Sequence, residues 1–100
     1  MTKAYCGYTQ YVPAGAAQTL HTGQGAIYAI LASTSKSSGV ASVTFYDNTS
    51  GSGNVLLTLH LNPYQPVVQL SFEEYRPLRF ETGLTVATGA EVECHVIVVG

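Results

Sequence analysis

Charge is scarce in this sequence: of 100 residues four are Lys or Arg and six are Asp or Glu, 10% of the chain, against roughly 25% in ordinary soluble domains. The basic residues Lys3, Lys36, Arg76 and Arg79 are scattered, and the net charge is −2. No basic stripe exists to track a phosphate backbone, which argues against nucleic acid as a direct partner. Trp is absent and the two cysteines, Cys6 and Cys94, lie at the chain's extremes, so the Cys–Trp–Cys signature of an immunoglobulin core is missing. No apolar run reaches the length of a membrane-crossing helix, and the N-terminal "MTKAYCGYTQ" lacks the apolar centre of a secretory signal. The expectation is a chain made in the cytoplasm with no membrane contact. Thiols stay reduced there, and whether Cys6 and Cys94 pair is left open.

What is present is an ordinary hydrophobic content of 46% with a polar remainder of mostly Ser, Thr, Gly, Gln, Asn and Tyr. A hundred residues make one domain, able to bury a core without metal or disulfide staples. Two readings of the missing charge follow. Uncharged side chains desolvate more cheaply, so such a surface suits burial against other protein. A ring subunit giving roughly 800 Å² to each of two neighbours would hide close to a third of a surface of about 5,500 Å². Alternatively, the outward strand faces are simply rich in Ser and Thr.

Short apolar segments alternate with turn signals at nearly even spacing, and nothing shows a helical period. Strands are predicted at residues 16–21, 25–33, 40–46, 54–61, 66–72, 77–80, 83–88 and 91–99, separated by "SSG", "NTSGSG", "NPYQP", "ETG" and "ATG". In "VTFYDNTSGSGNVLL" (residues 43–57), Val43 and Phe45 on one side and Val55 and Leu57 on the other flank a tight hairpin reversal. In "EVECHVIVVG" (91–100), Val92, Cys94, Val96 and Val98 alternate with Glu91, Glu93, His95 and Ile97. In "AIYAILAS", Ile27, Ala29 and Leu31 are read on one face, with Tyr28 and Ile30 on the other. The fold class is all-β: a compact antiparallel β-sandwich, jelly-roll or immunoglobulin-like, spanning 14–100, with an extended N-terminal arm at 1–13.

Reactive chemistry is not indicated. His21, His60 and His95 form no recognisable metal-ligand spacing, and Cys94 and His95 are adjacent in a strand and point apart. Glu91, Glu93 and His95 would share one strand face and could meet a cation across a symmetry axis, although a solvated face is the simpler reading. Glu73 and Glu74 are consecutive and face apart, and no nucleophile elbow or phosphate cradle occurs; "SGSGN" lies in a hairpin. No enzyme, metal or cofactor is expected. The tyrosines are more informative. Tyr5, Tyr8 and Tyr11 recur every third residue in the arm, as anchors for a neighbouring subunit or on a segment folded back as an edge strand. Tyr64 and Tyr75 flank Pro66 and Pro77 and are candidate loop contacts.

The hairpin, together with "LRFETGLTV" and the closing Val-rich strand, resembles the small all-β virion proteins of tailed bacteriophages, the capsid cement and decoration type. The similarity runs over residues 25–99 and rests on the F-x-x-G-L element (Phe80, Gly83, Leu84) and the Tyr-Asp turn. It implies a virion structural protein assembled in the host cytoplasm onto the capsid surface, bound to major capsid protein or other virion proteins, homo-oligomeric with a trimer favoured. The alternatives are a carbohydrate- or receptor-binding module of a spike or tail, and a head–tail connector or minor tail subunit.

Overall fold

A computed structural model of the chain describes residues 8–72 and 76–99. Their strands are β1 (Tyr8–Val12), β2 (Ala17–Thr22), β3 (Gly25–Thr34), β4 (Ala41–Tyr46), β5 (Val55–Leu61), β6 (Val67–Ser71), β7 (Leu78–Phe80), β8 (Gly83–Thr88) and β9 (Val92–Val99). From β2 onward each begins and ends close to where alternation and turn residues place it. The alternation is visible as burial. Ala41, Val43 and Phe45 of β4 are buried with Ser42, Thr44 and Tyr46 half-buried between them, and in β9 Val92, Cys94, Val96 and Val98 are buried while His95 is exposed.

All pairings are antiparallel, and four of them are nested. β4 pairs β5, β3 pairs β6, β2 pairs β8, and β1 pairs β9, so the chain is one long hairpin whose apex is the segment between β4 and β5. Rolling that hairpin up adds the lateral pairs β3–β9 and β4–β8. The result is two sheets, β1–β9–β3–β6 with the short β7 also on β3, and β2–β8–β4–β5. This is the jelly-roll connectivity of two interlocked Greek keys, which settles the choice the sequence left open.

Two expectations change. Residues 8–12 of the expected arm form edge strand β1, in register with β9 from Tyr8↔Val98 to Val12↔Cys94; Val12 is fully buried. Among the described residues the sheet therefore already includes Tyr8, ahead of residue 14, while Tyr5 and Cys6 lie outside the described residues. The second change concerns β3, whose register against β9 shifts between Ile27 and Ala29. Tyr28 is the extra residue of this bulge, and it reverses which parity faces inward. Ile27 is buried before it and Ile30 and Ala32 after it, while Leu31 is exposed. Simple alternation had placed Ile27 and Leu31 on one face. The bulge also divides the edge of β3, with β7 pairing residues 25–27 and β6 pairing 29–33.

Between the sheets lie Phe45, Phe80, Ile27, Ile30, Leu61 and Leu84, with the valines of β4, β8 and β9. Fully burying each such side chain contributes roughly 1.5–3 kcal/mol. Phe80 also seals the start of β3: a Cβ on Gly25 would come within 2.6 Å of its ring, so glycine is required there for close packing.

Candidate interaction surface

The hairpin apex is an eight-residue loop, 47–54, folded back on its own sheet; it is not the tight reversal expected. The Asp47 amide donates to the Asn54 carbonyl at 2.8 Å, the Asn48 side-chain amide donates to the Ser52 carbonyl at 2.9 Å, and Gly53 takes a φ of 95°. Asp47 then reaches the turn before β8. Its carboxylate accepts from the backbone amides of Thr82 at 2.8 Å, Glu81 at 3.1 Å and Gly83 at 3.4 Å. Those donors, Thr82 first, hold its pKa below the ordinary carboxylate value. The two sequence elements that carried the family resemblance thus meet at this carboxylate, with Phe80 and Leu84 in the core on either side of the turn it caps.

The loop lies across the outer face of the β2–β8–β4–β5 sheet. Thr85 donates to the Asn48 carbonyl at 2.9 Å, Thr19 donates to the Thr49 carbonyl at 3.1 Å, and the two threonine hydroxyls are 2.9 Å apart. Thr85 is accordingly only 2% exposed although it points away from the core. The rows of this face read Ala17–Ala87–Thr44–Thr58 and Thr19–Thr85–Tyr46–Val55, followed by the pair Ser42–His60. It is a hydroxyl face, partly roofed by the chain itself.

The other sheet presents a different exterior. Its rows are Tyr11–His95–Leu31–Gln69, Thr9–Ile97–Ala29–Ser71 and Glu93–Ser33–Val67. Tyr11 is 47% exposed, Leu31 42% and Val67 53%, and an open groove of about 330 Å³ lies among Thr9, Ala29, Leu31, Gln69, His95 and Ile97. Glu93 is the single charged residue in these rows. It accepts a 2.7 Å hydrogen bond from the Tyr11 hydroxyl, which raises the Tyr11 pKa above its ordinary value. The Tyr11 ring leans on His95 with centroids 4.9 Å apart.

Of the tyrosines singled out from the sequence, Tyr11 therefore sits on this apolar face, while Tyr8 lies on the same edge strand. Tyr5 and Tyr75, with Glu73 and Glu74, lie outside the described residues. Tyr64 is 99% exposed at a turn fixed by Asn62, whose side-chain oxygen accepts from the amides of Tyr64 at 2.8 Å and Gln65 at 2.9 Å. Nothing described brings Tyr64 and Tyr11 into one site.

The histidines are separated on three strands. His21 contacts the Gln24 carbonyl at 2.9 Å and the edge of Phe80, His60 is exposed on β5 and His95 on β9. Among the described residues no three His, Cys, Asp or Glu side chains come together as metal ligands. Glu91 does not join the row of Glu93 and His95, because it precedes β9 with a φ of 63° and uses its carbonyl to accept from Thr34 and Ser35. Cys94 is a free, buried thiol whose pKa desolvation pushes up to about 12, which makes it a poor nucleophile. A wider cleft of about 480 Å³ near the β3 bulge is lined by Gln24, Gly25, Tyr28, Arg79, Phe80 and Glu81.

One signal in the sequence marks the outer region near β5 and β6: residues 48–72 contain no Asp, Glu, Lys or Arg. That stretch carries Val55, Tyr64 and Val67, three of the six large apolar side chains that are exposed among the described residues. No protein-family model matches the chain, and no curated protein does at a level that shows relationship.

Proposed function

We propose that this chain is a non-enzymatic structural subunit of a tailed-phage virion, a capsid cement or decoration protein that seats the outer face of the β1–β9–β3–β6 sheet on major capsid protein. The observation that carries this reading is that face itself: rows of Tyr11, His95, Leu31, Ile97 and Val67 with one charged residue, Glu93, already engaged by Tyr11. An apolar face with a tyrosine anchor and almost no charge costs little to desolvate against a partner. The likeness of the Tyr-Asp hairpin and the F-x-x-G-L element to small virion proteins supplies the kind of partner. A subunit that binds only the mature lattice stabilises it by mass action against rupture from within. Its place would be the capsid surface.

The test is co-sedimentation of the purified chain with expanded capsids. Saturable binding lost in Leu31→Lys supports the reading, and absence of binding, or binding indifferent to that change, contradicts it. Tyr64 favours a second reading as a carbohydrate- or receptor-binding module. Its ring is 99% exposed on a turn that Asn62 and two flanking prolines make rigid, so little entropy is lost when it docks. Glycan screening with the chain and with Tyr64→Ala separates this reading from the first.

A further inference from the structure

In a chain this poor in charge, the place where charges gather is informative. Among the described residues seven side chains are Lys, Arg, Asp or Glu, and two of them, Arg79 and Glu81, line one cleft, the opening of about 480 Å³ beside the β3 bulge. Its volume falls within the range of small-molecule sites, roughly 300–1,000 Å³. Gln24, Gly25 and Tyr28 share its walls. Arg79 and Glu81 are two residues apart and both exposed, yet they do not pair with each other. The side chains of Arg79, Glu81 and Gln24 make no hydrogen bond or ion pair among the described residues.

The walls that carry these groups are held in place. The Gly23 amide donates to the Thr82 carbonyl at 2.9 Å, tying the turn before β3 to the turn after β7, and the Asp47 carboxylate accepts from the Glu81 and Thr82 amides. His21 reaches the Gln24 carbonyl at 2.9 Å and rests on the edge of Phe80. Between the two turns Gly25 leaves its backbone bare, because a Cβ there would strike the Phe80 ring. The bulge places Tyr28 on the cleft, as bulges do where they re-aim a side chain. A cleft braced in this way loses little entropy when it is filled.

We infer that the cleft binds a neutral saccharide, one or two sugar rings held by Arg79, Glu81 and Gln24 with Tyr28 as the apolar wall. The Arg79 guanidinium only donates, the Glu81 carboxylate only accepts, and the Gln24 amide does both. Neighbouring sugar hydroxyls also do both, so one ring can satisfy all three. An anion would meet repulsion from Glu81 and a cation repulsion from Arg79, and a ligand without net charge meets neither. The cleft lies at the Gly25 end of β3, whereas Tyr64 precedes β6, whose first residue pairs with Ser33 at the other end. The inference therefore stands apart from the Tyr64 reading, and capsid seating enters none of its outcomes.

The experiment is an amide chemical-shift titration of the full chain with maltose, cellobiose and lactose, each to about 20 mM to cover millimolar affinity, and with glucuronate as the charged comparator. At least one neutral disaccharide is expected to shift the amides of Gln24, Gly25, Tyr28, Arg79 and Glu81. Arg79→Ala, at an exposed position where the fold tolerates it, weakens that binding about tenfold through loss of a hydrogen bond from a charged group. Tyr64→Ala leaves it unchanged. No shift with any neutral disaccharide, a response to glucuronate alone, or binding that Arg79→Ala leaves intact would each overturn the inference.

Discussion

On the β2–β8–β4–β5 sheet the outward rows are built from Thr19, Thr85, Thr44, Thr58 and Ser42, and the hairpin loop lies over part of them; on β1–β9–β3–β6 the outward rows hold Tyr11, Leu31, Ile97 and Val67 with nothing described above them. Both faces are poor in charge for different reasons. The first replaces charge with hydroxyls, two of which are spent on the chain's own loop carbonyls. The second replaces it with apolar and aromatic side chains. A composition that supports two interpretations can thus be the sum of two surfaces, each fitting one of them, and the functional proposal rests only on the second.

The largest expected effect concerns the roofed face. Gly83→Ala would place a Cβ 2.9 Å from the His21 carbonyl oxygen and 3.0 Å from the Thr49 methyl. It should lift the loop and destabilise the fold by about 1–3 kcal/mol, as overpacking does, measured by urea unfolding. Asp47→Asn comes next, because it weakens the acceptor for Thr82, Glu81 and Gly83. The group faces solvent in part, so a loss of about 1–2 kcal/mol at neutral pH is expected. The sign of its pH dependence follows from a lowered folded pKa: the stabilisation is present above the unfolded value of about 3.9 and disappears as pH falls through the lower folded value. Wild type should therefore lose stability below about pH 4 more steeply than Asp47→Asn, and parallel acid curves would contradict the clamp.

The apolar face yields smaller effects on stability. Tyr11 should ionise at a pH above the ordinary tyrosine value of about 10, and Glu93→Ala should return its ultraviolet titration toward that value, since the hydrogen bond to Glu93 is the leading cause of the shift. Smallest is Thr44→Lys on the hydroxyl face, expected to change stability by no more than about 0.5 kcal/mol. A larger loss in thermal unfolding would mean that this face carries more than solvent contact.

Much of the fold was legible in the residues. β4 and β9 are read correctly because one face of each is uniformly apolar, and a period of two survives in the sequence when one side packs and the other does not. The nesting of the hairpins was not legible, since strand order depends on long-range pairing that periodicity does not encode. Tyr28 shows a second limit. A bulge reverses parity without any glycine or proline to announce it, so simple alternation puts Leu31 on the face of Ile27. Asp47 shows a third: its neighbours in sequence suggested a turn, but its partners Glu81, Thr82 and Gly83 lie 34 to 36 residues away. Of the tyrosines, Tyr64 was recognisable because Asn and Pro around it force a turn. The apolar face was only partly recognisable, from Ile97 and Leu31 being apolar where a solvent-facing strand would be polar.

The most direct measurement is binding to expanded capsids by three proteins side by side: wild type, Leu31→Lys and Thr44→Lys. If the bare apolar face is the seat of assembly, wild type and Thr44→Lys bind alike and Leu31→Lys does not, with all three equally stable. Equal binding by Leu31→Lys, or loss of binding in Thr44→Lys alone, would contradict that assignment.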